Sequence, residues 1–206
     1  MRSHLRRARP GLAGAALLLL TLAGCDSTGP EEQPEASLTI ISRAADAPPL
    51  ESNVLSFYAV RGEDREGELF YQNESGGPGE RFLGLKFADE SIVTGADGLP
   101  VAPGDSVLIT ITVVDAAKIL FDFQPSGILF NPLERPELRI RYAEAEGDFD
   151  DDGDTDDDDA EIETRLAIWR QEAEGLPFLR LGTVRFDDLD EVEADLSGFT
   201  RYAIAY

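Results

Sequence analysis

The sequence has few of the residues that build most catalytic centres. It contains one histidine, one cysteine, one tryptophan and one methionine. His4 lies in an N-terminal segment that we expect to be removed, and Cys25 lies where we expect its thiol to be blocked. Without histidine or a free thiol, a chain cannot build a Ser-His or Cys-His nucleophilic site, or a histidine-ligated zinc or haem site. A disulfide within the chain is excluded as well. We therefore predict that the protein is not an enzyme.

Positive charge is also scarce. The chain has only two lysines, 18 basic residues in all and 41 acidic ones, for a net charge of −23. Four of the basic residues and none of the acidic ones lie in residues 1–24, so removal of that segment lowers the net charge to −27. Such a surface repels nucleic acid and anionic lipid headgroups and attracts cations. We predict no nucleic-acid partner.

The N-terminus is typical of an export signal. Arginines at positions 2, 6, 7 and 9 precede an apolar stretch, 12–22, that is too short to span a bilayer. The sequence therefore predicts a signal peptide over residues 1–24. The tetrapeptide Leu22-Ala-Gly-Cys25 resembles the lipobox of bacterial lipoproteins, which implies cleavage before Cys25, a lipid on its thiol and an extracytoplasmic, membrane-anchored protein of the cell envelope. The alternative is an ordinary secretory signal with a leftover cysteine.

The segment that follows lacks hydrophobic periodicity. Residues 25–36 are rich in glycine, proline and acids, which predicts a flexible tether between lipid and domain. Residues 37–206 are long enough for a sizeable core. We predict one folded domain there.

Alternation of apolar and polar residues dominates this domain. The run 106–114 places Val107, Ile109, Ile111 and Val113 on one face, and 118–123 and 137–142 alternate in the same way. Further strand candidates are 38–42, 54–61, 67–72, 81–87, 163–171, 178–185, 192–196 and 199–205. Many short strands with close turn signals predict an all-β fold, an antiparallel β-sandwich.

The most distinctive motif is an aspartate-rich stretch, 148–159, which we call the acidic loop. Counted from Asp148, acids occupy positions 1, 3 and 5, and Gly153 occupies position 6. An EF-hand-type loop needs this spacing, because oxygens at positions 1, 3, 5, 7, 9 and 12 wrap one Ca²⁺, position 7 through its backbone carbonyl, and the chain turns sharply at the glycine. The predicted metal ligands are Asp148, Asp150, Asp152, Asp154, Asp156 and Asp159.

Two interpretations of the acidic loop stay open. It binds one Ca²⁺ weakly, since position 12 is Asp159 in place of the usual glutamate, or it is a solvated acidic run. Calcium loops outside EF-hands, as in dockerins and thrombospondin type 3 repeats, which it resembles, use the ion for structure. We expect the loop to join strands 137–142 and 163–171 as a hairpin. A helix over 162–172 is the alternative.

A second resemblance covers roughly residues 80–206. The segment Phe123-Gln-Pro-Ser-Gly-Ile-Leu-Phe-Asn-Pro132, followed by Glu137-Leu-Arg-Ile-Arg-Tyr142, is similar to the core of the ZU-five-type domain of zonula occludens proteins, netrin receptors and ankyrins. The final stretch, 198–205, resembles that family's last strand. The resemblance implies a non-enzymatic β-sandwich that docks partners or packs against neighbouring domains. The Asp-rich insertion and the first third of the chain depart from it.

Several conspicuous side chains receive structural interpretations. Trp169 is expected in the core or at a sheet edge, with a ligand platform as the alternative. Two pairs of aromatic residues and the tail aromatics are expected to fill the core: Phe57, Tyr58, Phe70 and Tyr71, and then Phe199, Tyr202 and Tyr206. Four arginines flank the acidic loop and could pair with its aspartates or form a partner surface: Arg139, Arg141, Arg165 and Arg170.

Together these features predict a non-catalytic, lipid-anchored β-sandwich, stabilised by Ca²⁺, that acts as a structural or adhesive module binding an unknown protein or glycan. The alternative is a carbohydrate- or small-molecule-binding lipoprotein, which would require an aromatic pocket near Trp169 and the loop. A carboxylate-based hydrolase is third, because it needs two acids facing each other roughly 5–10 Å apart.

Overall fold

A computed structural model describes residues 30–206. The predicted signal peptide, the lipobox, Cys25 and the first residues of the tether lie outside this part of the chain. Fourteen strands and one α-helix are found within it. The strands are β1 Glu32–Gln33, β2 Val54–Val60, β3 Arg65–Gln72, β4 Pro78–Phe87, β5 Ile92–Thr94, β6 Ser106–Val113, β7 Leu120–Gln124, β8 Leu129–Phe130, β9 Glu137–Arg141, β10 Ala167–Gln171, β11 Phe178–Arg180, β12 Thr183–Phe186, β13 Glu191–Asp195 and β14 Arg201–Ala205, and the helix is α1 Asp157–Glu163.

The strands form an all-β sandwich, as the sequence predicts. One sheet has seven strands in the order β1-β11-β10-β14-β7-β6-β2, and the other has five in the order β12-β13-β9-β4-β3. A small third sheet pairs β5 with β8. Every pairing between these strands is antiparallel.

The main core lies between the two large sheets. Of the predicted inward residues of β6, Ile109, Ile111 and Val113 are buried and Val107 is half-buried against the core, and the inward residues of β9 are buried. Aromatic rings fill the centre, where Phe121 lies 5.4 Å from Phe82, centroid to centroid. Period-2 alternation therefore identified the buried face of these strands correctly, because successive side chains of a strand point to opposite sides of a sheet.

A second, smaller cluster covers the outer face of the seven-stranded sheet. Trp169 is 2% exposed and packs there among Leu38, Leu120, Phe178 and small alanines of β10 and β14. Its indole Nε1 donates a hydrogen bond to the carbonyl oxygen of Ala205 over 3.0 Å. The core interpretation of Trp169 is confirmed and the ligand-platform alternative is wrong, because burial leaves no face of the ring for a ligand.

The connection through the acidic loop differs from the predicted hairpin. β9 pairs with β4 and β13 in the five-stranded sheet, whereas β10 pairs with β11 and β14 in the seven-stranded one. The loop therefore crosses from one sheet to the other. The expected strand 163–171 is also too long, since α1 occupies its start and β10 begins only at Ala167.

Two other strand predictions change in detail. The expected strand 178–185 is two strands, because β11 and β12 belong to different sheets and the chain bends between them. Segment 38–42 forms only isolated bridges, at Ile40 and Ser42. Within the predicted tether, Glu32–Gln33 forms β1, which pairs with β11, and a 3₁₀ helix, Glu35–Ser37, follows it.

The aromatic predictions are mostly confirmed. Tyr71, Phe199 and Tyr202 are buried, and Tyr206 packs against the main core. Tyr58 and Phe70 are the exceptions. Tyr58 is 60% exposed on the outer face of the seven-stranded sheet, and Phe70 is half-buried and belongs to neither core cluster. Phe57 and Tyr58 cannot both be core residues, because neighbouring residues lie on opposite faces of β2.

Candidate metal centre

The acidic loop brings its first three predicted ligands together. Carboxylate oxygens of Asp148, Asp150 and Asp152 lie within 4.8 Å of one another. The turn that gathers them is made by two residues with positive φ, Asp151 at 62° and Gly153 at 101°. The glycine at position 6 thus occupies the left-handed region that the sequence argument required.

Backbone amides hold these carboxylates in place. Asp148 accepts hydrogen bonds from the amide of Asp152 through Oδ1 at 3.1 Å and from the amide of Gly153 through Oδ2 at 2.9 Å. The side chains of Asp150 and Asp152 each accept from the amide two residues on, at 3.2 Å. Asp154, at position 7, is exposed and has its side chain outside the three-carboxylate group.

The last two predicted ligands begin a helix. Asp156 is the N-cap of α1 and accepts from the amide of Asp158 at 2.8 Å. Asp159, three residues later, accepts in return from the amide of Asp156 at 3.0 Å, which completes a capping box. The helix starts at loop position 10, so the second flank of the loop is helical, contrary to our expectation of strands on both sides.

Asp159 lies outside the group of three carboxylates. It is 2% exposed, and its Oδ1 accepts from the amides of Phe149 at 2.6 Å and Asp150 at 3.3 Å. These backbone hydrogen bonds, the one from Asp156 first among them, lower the pKa of Asp159. Asp159 thus ties the start of the loop to the start of α1, and the structure does not bring it into the group formed by positions 1, 3 and 5.

The three grouped carboxylates repel one another. Desolvation, and then the negative charge of Asp152, raise the pKa of Asp150. The four arginines that flank the loop, for which the sequence left open either pairing with its aspartates or a partner surface, form no ion pair with those aspartates in the described part of the chain. Arg139 pairs with Glu137 and Glu193, Arg141 with Glu80, and Arg170 with Glu172, while Arg165 lies over the ring of Tyr206. These arginines therefore do not offset the negative charge of the group.

Aromatic side chains anchor the loop to the sandwich, and sequence reasoning missed them. The Tyr206 hydroxyl donates to the carbonyl oxygen of Phe149, and the two rings lie 6.5 Å apart. Tyr142 donates to Glu163 at 3.0 Å, and burial together with this hydrogen bond raises the pKa of Tyr142. Phe149 was the available signal, because it is the one apolar residue in the acidic loop.

The loop geometry suits an oxygen-preferring cation. Ca²⁺ takes six to eight oxygen ligands in flexible geometry. Asp148, Asp150 and Asp152 supply up to three carboxylate oxygens from one side, and their orientation is already fixed by the hydrogen bonds described above. Histidine and cysteine are not present in the group, so a soft metal is disfavoured.

The comparisons with known proteins add no name to this geometry: no family model, no curated protein and no solved structure matches the chain. Within residues 30–206, no helix has the length and apolar character needed to cross a membrane.

Proposed function

We propose that the protein is a non-catalytic β-sandwich, anchored by a lipid on Cys25 to a bacterial cell envelope, that is stabilised by one Ca²⁺ in the acidic loop and docks a partner. The observation that carries the proposal is the convergence of the Asp148, Asp150 and Asp152 carboxylates within 4.8 Å at a glycine turn. The export and lipobox pattern of residues 1–25 supports the location.

The position of the loop supports a structural role for the ion. The acidic loop connects β9 in one sheet to β10 in the other. A cation bound there would therefore stabilise a connection between the two sheets. Without it, nine aspartates in twelve residues repel one another in this connection. Ion binding would therefore favour the folded state over the unfolded chain, as any ligand specific to the folded state does.

The ZU-five resemblance supports a docking role. Its motif residues form β7, a turn with Gly127 at a φ of 85°, and β8. Phe123 and Phe130 from that motif are buried with Phe199 in the main core. Packing in the main core therefore accounts for these residues, and the docking role itself rests on the resemblance.

Thermal unfolding of residues 30–206, which include all the strands described here, tests the calcium site. We expect the Tm to rise in 10 mM CaCl₂ relative to EDTA and to respond less to MgCl₂, because Mg²⁺ demands a stricter octahedral geometry. The variant Asp148→Ala/Asp150→Ala should lose the response. The matched control is Asp157→Ala/Asp158→Ala, which removes the same charge from exposed positions outside the carboxylate group.

If CaCl₂ changed the Tm of both double variants equally, the loop would be a nonspecific acidic run. An equal response to Mg²⁺ and Ca²⁺ would lead to the same conclusion. Absence of any response in the wild type would remove calcium from the proposal and leave a sandwich with a solvated insertion.

The anchor is tested separately. Full-length protein expressed in a Gram-negative host should fractionate with membranes, and Cys25→Ser should release it, because the lipidated thiol would be gone. Ser27→Ala, which leaves the Leu22-Ala-Gly-Cys25 tetrapeptide intact, serves as the control. Membrane association that survives Cys25→Ser would contradict lipid attachment at this residue.

A further inference from the structure

The edge strand β2 is unlike the other edges of the sandwich. It closes the seven-stranded sheet, and among residues 30–206 it pairs with β6 alone. Its seven residues, Val-Leu-Ser-Phe-Tyr-Ala-Val, include no charged residue, no proline and no glycine. Proteins normally protect an edge of this length, since unpaired amides and carbonyls form a ready template for another strand.

The other edges carry such protection. β3 is charged along its exposed face, its pairing with β4 has two register irregularities, and segment 49–51 covers its end through hydrogen bonds to Phe70 and Gln72. β12 has four residues, one of them Arg185. β1 has only two residues. The contrast makes β2 the one long, neutral edge in the described part of the chain.

The hydrogen-bond register of β2 identifies which groups are open. The amide of Val113 donates to Asn53 and the amide of Arg61 to Asp105, so odd-numbered residues of β2 form the bonded pairs with β6. The amides and carbonyls of the even-numbered residues therefore point away from β6, towards the open edge of the sheet. Ser52 already bonds both backbone groups of Val54, and Glu63 donates to the carbonyl of Val60. The amides and carbonyls of Ser56 and Tyr58 remain for a new strand.

The outer face beside this edge is also uncharged. Val54, Tyr58 and Leu108 are exposed, and β6 presents Thr110 and Thr112 between them. In a chain where 29% of residues are charged, a face of hydroxyl and apolar side chains across two strands is a local exception. A partner strand with alternating apolar and hydroxyl side chains would match it.

Acids outnumber arginines around this neutral edge. Exposed Glu51 precedes β2, and Glu63 and Asp64 follow it, where Arg61 pairs with Glu90 and Arg65 with Glu63. On the exposed face of β3, Glu66 and Glu68 share Arg81. In an antiparallel pair of two copies, Glu51 of one copy would meet the end of β2 that carries Asp64 in the other. Charge complementarity therefore favours a partner with basic residues at both ends of a neutral strand.

We propose that β2 accepts an extended segment of a partner protein by strand addition, and that this segment is neutral in its centre and flanked by lysine or arginine. Main-chain hydrogen bonds to Ser56 and Tyr58 would supply affinity, and the surrounding acids would select basic flanks. The inference deepens the docking role proposed above and rests on that role, but it does not depend on calcium.

The place of β2 in the sheet suits this role. β1, where the described chain begins, lies at the opposite edge, six strand spacings or about 29 Å away. If the protein is anchored near β1, the open edge lies on the far side of the sheet from the anchor.

The test is a titration of the full chain, in mild detergent, with a fluorescent peptide of alternating valine and threonine flanked by two lysines at each end. We expect saturable binding that weakens with salt, and slower hydrogen exchange at the amides of Ser56 and Tyr58. Replacing the four lysines by glutamates should abolish binding. A scrambled, proline-containing peptide controls for nonspecific attraction to the acidic surface.

The decisive variant is Ser56→Pro. Proline is tolerated on an edge strand where the lost amide faces solvent, so the pairing with β6 should survive. Loss of one outward hydrogen bond should weaken peptide binding about two- to tenfold, and the ring would block the approaching strand further. Ser56→Ala is the matched control, because it removes only the contact of the Ser56 hydroxyl with that of Thr110.

Equal binding by Ser56→Pro and the wild type would overturn the proposal, provided that the circular dichroism of the two agrees. No binding of the lysine-flanked peptide would overturn it too. If sedimentation showed a concentration-dependent dimer that Ser56→Pro abolishes, the occupant of the β2 edge would be a second copy of the chain and not a partner protein. Each outcome leaves the calcium-dependent Tm unaffected, so failure here is distinguishable from failure of the metal site.

Discussion

The main core and the acidic loop are stabilised in opposite ways. In the core, apolar side chains such as Phe82, Phe121 and Phe123 are fully buried, and their stability depends on volume and shape. In the loop, nearly every side chain is an acid, and the conformation depends on carboxylates that accept backbone amides. The core needs nothing from solution, whereas the loop contains a repulsion that a cation would relieve. The two regions should therefore respond to different perturbations.

The largest effect is expected in the core. Phe121→Ala removes a ring that packs against Phe82 and Phe123, and it should cost about 3–5 kcal/mol in the free energy of unfolding. Urea denaturation measures the loss, and Leu133→Ala, at a residue that is 90% exposed, is the control with little expected change. A loss below about 1 kcal/mol would mean that the core is not closely packed around this ring.

Calcium should act next, and independently of the core. With a Kd on the order of 10⁻⁴–10⁻³ M, 10 mM CaCl₂ would raise the free energy of unfolding by about 1.4–2.7 kcal/mol. Urea titrations with and without Ca²⁺ should give the same increment in the wild type and in Phe121→Ala, because distant, independent sites contribute additively. An increment that disappears in Phe121→Ala would show that the two regions are energetically coupled.

Gly153→Ala tests the turn of the loop. The φ of Gly153 is 101°, so a Cβ costs about 1–2 kcal/mol in conformational strain although no neighbouring atom lies within 4 Å. Gly182→Ala is the matched control, since it also has open space but no positive φ. Thermal unfolding in EDTA compares them. If both variants lose equal stability, the loop turn is not strained by the added Cβ.

The smallest effect is expected on the stability at low pH. Because the folded-state pKa of Asp159 is below the ordinary value of 3.8, its contribution is fully present above that value and is lost as the pH falls through the lower, folded value. Asp159→Asn cannot titrate, and with one side-chain oxygen it cannot accept from both the Asp156 and the Phe149 amides through separate oxygens. The Tm difference between wild type and variant should therefore be constant from pH 7 to 5 and narrow towards pH 3. A difference that widens towards pH 3 would contradict this linkage.

The comparison of core and loop also explains what the sequence could predict. Alternation in β6 and β9 identified the buried side of each strand, because one face of each strand meets the core. It did not identify the partner strands. The period of a strand is the same whether its neighbour is the next strand in the chain or a distant one, so β9 and β10 were wrongly paired as a hairpin.

The acidic loop was predicted in part. The D-x-D-x-D-G spacing located the three carboxylates that converge, because the spacing itself encodes the turn. The helix that begins within it was missed, since Ile162, Leu166 and Ile168 lie at alternate positions, as the inward residues of a strand do. The spacing of Asp156 and Asp159 was the local signal for a helix start, but in a run of nine aspartates it did not stand out.

The order of the strands also bears on how the chain folds. β14, at positions 201–205, lies between β10 and β7 and hydrogen-bonds to both. The seven-stranded sheet consequently cannot close until these residues are available, however early the other strands have been synthesised. A chain that emerges from the ribosome N-terminus first must keep β7 and β10 apart without their central neighbour until then. Closure of the seven-stranded sheet is therefore a late step of folding, because it depends on contacts between residues far apart in the sequence.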